Sequence, residues 1–174
     1  MTSPAPVTRS AQDLKVLVVD DIATMRNHEQ RMLAEMGIRQ VTQACDGREA
    51  CNMIYAGGKS FDLILADINM PNMNGIDLLR AIRQTDTSTP VIMVTAEARK
   101  EDILRAAQLG ADAYVIKPFT GPTLREKVET VFAKRGVTLT GLEPAPPAPH
   151  TAFAQIRKPG WLDRIKSGLK QLGL

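Results

Sequence analysis

Five polar residues stand where short apolar runs end: Asp20 and Asp21 after Lys15–Val19, Asp67 after Phe61–Ala66, Thr95 after Val91–Val94, and Lys117 after Ala113–Ile116. Three carboxylates brought to one sheet edge repel each other unless a cation sits among them. Hard oxygen ligands with room for water suit Mg²⁺. A hydroxyl and an ammonium on the same rim add donors for phosphate oxygens. An aspartate after a strand is most often a turn former or a helix cap, so no single member carries this reading. Five residues of fitting type at the ends of four runs carry it jointly.

Such convergence requires the runs to be parallel strands of one sheet. From Leu14 to about Lys134, short runs rich in Val and Ile alternate with stretches of helical spacing, the βαβα pattern. The strands are expected at Lys15–Val19, Val41–Cys45, Phe61–Ala66, Val91–Val94 and Ala113–Ile116. Three are almost continuously apolar, as suits strands covered on both faces. In Thr24–Met36, Met25, Met32, Leu33 and Met36 fall on one helical face. Right-handed crossovers then give an α/β, doubly wound, five-stranded parallel sheet of the flavodoxin-like class, whose ligands sit at the carboxyl ends of the strands.

Composition fits that fold. The 174 residues are 44% hydrophobic and 24% charged, enough for one domain and some additional chain. No apolar run approaches the roughly 18 residues of a membrane span. Met1–Ser10 lacks the apolar core of a secretory signal, so the expected location is cytoplasmic. Cys45 and Cys51 have no partners suggesting a disulfide framework or a zinc site. His28 and His150 lack the neighbours of a ligand or a general base and are given no role. Residues 1–137 carry 17 basic and 17 acidic side chains, so the whole net charge of +3 belongs to residues 138–174.

The motifs Val19 to Asp21, Asp67 to Gly75 (DINMPNMNG), Val94 to Ala98 (VTAEA) and Tyr114 to Phe119 (YVIKPF) keep their order and spacing over about residues 12–135. In these the chain resembles the receiver domains of two-component response regulators, most nearly single-domain chemotaxis regulators of the CheY type. The resemblance implies that Asp67 accepts a phosphoryl group from a histidine kinase, with Mg²⁺ held by Asp20, Asp21, Asp67 and the Asn69 backbone carbonyl. Thr95 and Lys117 would stabilise the phosphoryl charge. A cis bond is implied between Lys117 and Pro118. Side chains of Asn69 and Glu97 would tune dephosphorylation. Tyr114 would act with Thr95 as a switch, and an output face around Arg99, Lys100, Tyr114 and Val115 would meet the flagellar motor switch or another output protein. Such a chain phosphorylates and dephosphorylates itself rather than turning over a substrate as a conventional enzyme does.

Four segments are expected: a flexible N-terminus (1–11), the receiver (12–135), a Pro-rich linker (136–152) and a basic amphipathic helix or tail (153–174). About forty residues after Arg135 are too few for a winged-helix DNA-binding domain, so no DNA binding is expected. Glu143–Pro149 reads as an extended spacer. Trp161, Ile165, Leu169 and Leu172 fall at helical spacing with Arg164, Lys166 and Lys170 largely opposite. Arg157, Trp161, Arg164 and Lys166 thus form a candidate tail ligand site. The alternative function it suggests is cyclic di-GMP binding, with guanidinium and indole groups gripping the nucleotide. Weak membrane contact through the same segment is a third reading.

Overall fold

Four largely apolar strands and one more polar edge strand form the sheet, and helices cover both of its faces. The computed structural model describes residues 7–96 and 99–143. The elements are β1 (Val7–Ser10), a single 3₁₀ turn (Ala11–Asp13), β2 (Lys15–Val19), α1 (Ala23–Glu35), β3 (Gln40–Ala44), α2 (Gly47–Cys51, continued by a π turn at Asn52–Ala56) and β4 (Leu63–Asp67). Then come α3 (Gly75–Thr85), β5 (Val91–Thr95), α4 (Lys100–Gln108), β6 (Ala113–Ile116), α5 (Gly121–Lys134) and β7 (Val137–Thr140). The main sheet has order β3-β2-β4-β5-β6 with every pairing parallel, as expected for the doubly wound class.

Strand alternation sorts the core into two layers. Val16, Val18, Leu63, Leu65, Ile92, Val94 and Val115 pack with Met32, Leu33 and Met36 of α1 and Leu124, Val128, Val131 and Phe132 of α5. Their neighbours along the strands, Leu17, Val19, Ile64, Ala66, Val91 and Met93, pack on the other face with Ala50, Ile76, Leu79, Ile82 and Ala106. Each fully buried aliphatic side chain contributes roughly 1.5–3 kcal/mol, so both layers hold the strand ends in fixed register.

The ordered body is longer than residues 12–135. Val7–Ser10, expected to be flexible, pairs in parallel with Val137–Thr140, expected to open the linker, in the register Val7↔Val137 to Ser10↔Thr140. The reason is burial: Val137, Leu139 and Leu142 pack against the α1/α5 layer, where the alternating Val-Thr-Leu-Thr pattern buries one side of β7. Gly136 and Gly141, both at positive φ, turn the chain at either end of that strand. Beyond it, Glu143 N–H donates to Met36 C=O at 3.1 Å, and Arg125 Nη1–H donates to Glu143 C=O.

Candidate functional site

Asp20 leaves β2 with its N–H bonded to Ala44 C=O at 3.2 Å, which fixes its backbone against the edge strand. Its side chain is 1% exposed; Oδ1 accepts from Ile22 N–H at 2.7 Å and Oδ2 accepts from Lys117 Nζ. Asp67 ends β4, buried, with Oδ2 accepting from Asn69 N–H at 2.6 Å and Oδ1 accepting from Lys117 Nζ at 2.8 Å. Lys117 N–H donates to Thr95 C=O at 2.7 Å, and its bond to Pro118 is cis. Thr95 closes β5, fully buried.

One ammonium thus bridges two buried carboxylates. Burial works against charge on Lys117, but its hydrogen bonds to Asp20 and Asp67 outweigh burial and hold its pKa above the ordinary lysine value. Burial pushes the Asp67 carboxyl up, and Lys117 offsets only part of that. The salt bridge to Lys117 thus opposes, without cancelling, the upward push of burial on Asp67.

The loop after Asp67 is held in two ways. Gly75 N–H donates to Ile68 C=O at 3.0 Å, and a Cβ on Gly75 would come within 2.1 Å of Asp67 O. At Asn72, with φ 61°, the side-chain amide donates to Asp46 Oδ2 at 2.7 Å, while Gly47 N–H donates to Met73 C=O at 3.1 Å. The Asp46 carboxylate also accepts from Glu49 N–H at 2.8 Å, and that bond, followed by the one from Asn72, holds its pKa below the ordinary range. Sequence reasoning did not find this clamp. Asp46, three residues before Glu49, was legible only as an N-cap.

The structure brings Asp20, Asp67, Thr95 and Lys117 together. Asp21 and Asn69 stand beside them, both exposed. Among the described residues no group of three or more carboxylate, imidazole or thiol side chains is gathered closely enough to hold a metal, because Lys117 bridges Asp20 and Asp67 and Asp21 faces solvent. The donors nevertheless fit a hard cation: two buried carboxylates converge on one positive charge, with an exposed carboxylate alongside.

Tyr114 lies partly buried on β6, its hydroxyl buried and without a hydrogen-bond partner among the described residues. Burial, with the Asp102 and Asp67 charges behind it, pushes that hydroxyl up. Val115 corrects the expected output face: it is 2% exposed and packs in the α1/α5 layer, since strand alternation turns it away from Tyr114. Arg99 and Lys100 are exposed at the start of α4. Glu97 and the tail residues Arg157, Trp161, Arg164 and Lys166 lie outside the described residues. No helix among the described residues is long and apolar enough to cross a membrane.

A second residue missed at the sequence level is Glu29, 2% exposed on α1. Its signal was its spacing: it falls four residues after Met25 and three before Met32, on the buried stripe.

The response regulator receiver domain matches residues 16–129. The chain is 45% identical over 123 residues to the chemotaxis protein CheY of Pseudomonas aeruginosa, covering 70% of this chain and 98% of that protein. It is 42% identical over 125 residues to CheY-3 of Vibrio cholerae, covering 71% and 95%. Among solved structures, Vibrio cholerae CheY4 is similar with a TM-score of 0.62 at 35% identity, covering 68% of this chain and 98% of that one. A CheY-like receiver domain from Methanospirillum hungatei has a TM-score of 0.65 at 31% identity, covering 71% and 97%.

Proposed function

The chain belongs to the response regulator receiver domain family, with chemotaxis proteins of the CheY type among its relatives, and from that premise we propose that Asp67 is its phosphoacceptor. The observation that carries this is the Lys117 bridge between Asp20 and Asp67. It supplies a buried nucleophilic carboxylate and, beside it, a cation able to turn to the oxygens of an arriving phosphoryl group.

The Asp67 oxygen–phosphorus bond forms as the phosphorus–nitrogen bond of a kinase phosphohistidine breaks; the bond's electron pair stays on that nitrogen, and because the other ring nitrogen already carries a proton, neutral histidine is left on the kinase. Asp20, Asp21, Asp67 and the Asn69 carbonyl would hold Mg²⁺, which would supply neutralisation of the phosphoryl charge. Lys117 stays charged and binds a phosphoryl oxygen, and the Thr95 hydroxyl donates to another. Side chains at 69 and 97 bear on water's access to the phosphorus. Labelling by a small phosphodonor with Mg²⁺ tests this: wild type takes up one phosphoryl group, and Asp67→Asn takes up none.

Tyr114 is the switch element coupled to Thr95, and Arg99 and Lys100 with it form the surface read by an output protein. The CheY relatives support a partner in chemotaxis, such as the flagellar motor switch. Receiver chemistry resides in the doubly wound sheet and its helices, without a part for residues 153–174. Deleting residues 153–174 therefore leaves labelling unchanged. Cyclic di-GMP binding finds no support in these relatives.

A further inference from the structure

The α1 stripe that faces the sheet carries Met32, Leu33 and Met36 into the core, and one turn nearer the site the same stripe carries Glu29. Glu29 is 2% exposed, and its Oε1 has no hydrogen-bond partner among the described residues. A buried acceptor left unmatched costs about 1–3 kcal/mol, so an apolar residue would serve the fold better. The charged groups that reach it are Lys117, Asp20 and Asp67. Burial, against a smaller opposing pull from Lys117, pushes the carboxyl up to about 8.

Lys117 needs a further acceptor. Its ammonium now bonds Asp20 Oδ2 and Asp67 Oδ1, the two buried carboxylates assigned above to the cation. Once they turn to Mg²⁺, an ammonium on a side chain only 10% exposed, with three N–H groups, loses both partners. We propose that Glu29 is a positioning residue for Lys117: its Oε1 accepts one N–H of the ammonium when Asp20 and Asp67 turn to the metal, leaving the other two for phosphoryl oxygens. This rests on the receiver reading of the site.

The test is a double-mutant cycle on the full chain, with Mg²⁺ alone as ligand and its Kd read by calorimetry. The variants are Glu29→Leu, Glu29→Gln, Lys117→Met and the Glu29→Leu/Lys117→Met pair, each checked for folding by its melting transition. Glu29→Leu weakens Mg²⁺ binding about tenfold, the worth of one hydrogen bond to a charged group. Glu29→Gln keeps most of the affinity, because its amide oxygen still accepts. In the Lys117→Met background, Glu29→Leu changes Kd less than about twofold. Equal loss in both backgrounds, or equal loss for Leu and Gln, means that only distant charge is felt and overturns the assignment. Wild type that binds Mg²⁺ while Glu29→Leu leaves Kd unchanged overturns it alone. Wild type that binds no Mg²⁺ overturns the receiver reading with it.

Discussion

Lys117 Nζ lies 2.8 Å from Asp67 Oδ1 and donates as well to Asp20 Oδ2, so one ammonium neutralises the carboxylates ending β2 and β4. A cation entering the site competes with that ammonium. Lys117→Met is therefore expected to bind Mg²⁺ at least as tightly as wild type while losing the response of Tyr114 to beryllium fluoride. Asp21→Ala, which leaves the bridge intact, is expected to weaken Mg²⁺ binding about tenfold or more. Titrating the three proteins with Mg²⁺ by calorimetry, and following Tyr114 by NMR, separates the two roles; equal losses would contradict the division.

Glu29 links stability to pH. Its carboxyl is pushed up to about 8 in the folded chain, whereas in the unfolded chain it ionises in the ordinary carboxylate range. The unfolded state therefore holds fewer protons between those values, and stability falls as pH rises through that window. The loss is a few kcal/mol at most, since one pKa unit corresponds to about 1.4 kcal/mol. Urea unfolding in EDTA at pH 5 and pH 8 is expected to show a decline for wild type and a shallower one for Glu29→Gln. Parallel pH profiles would exclude Glu29 as its source.

Gly75→Ala places a methyl where Asp67 O already stands, 2.1 Å away, and backbone cannot yield as a flexible side chain does. A loss of at least about 2 kcal/mol is expected, with phosphodonor labelling of Asp67 reduced among the molecules that still fold. Thermal melting and labelling of the folded fraction check both. A variant as stable as wild type would contradict the close approach.

The inner strands and the positions of Asp20, Asp67 and Thr95 were legible because burial on both faces writes near-continuous apolar runs, and because each of these polar residues ends or directly follows one. β1 and β7 were not: Val7-Thr-Arg-Ser and Val137-Thr-Leu-Thr are four-residue segments, and they pair across nearly the whole described chain. Glu29 was hidden for another reason. Its neighbours Arg26, Asn27, His28, Gln30 and Arg31 make that stretch look solvated, although its phase with Met32 and Met36 turns it inward. Val115 came into the expected output face with the resemblance, which names the strand as a whole, whereas alternation sends Tyr114 and Val115 to opposite faces.

Pairing of β1 with β7 makes the N-terminal segment part of the body. Removing residues 1–10 is expected to cost about 1–3 kcal/mol in urea unfolding while leaving Mg²⁺ affinity unchanged, because the strand lies away from the carboxyl ends of the sheet. Unchanged stability would mean that the two strands form no lasting pair in solution.

The central claim, that Asp67 becomes an acyl phosphate, has a direct chemical signature. Borohydride reduces an aspartyl phosphate to homoserine, so protein treated with acetyl phosphate and Mg²⁺, then with borohydride, should yield homoserine at position 67 on peptide mass analysis. The conversion should disappear when Mg²⁺ is chelated and in Asp67→Asn. Homoserine at Asp20, Asp21 or another aspartate, with Asp67 unmodified, would contradict the account.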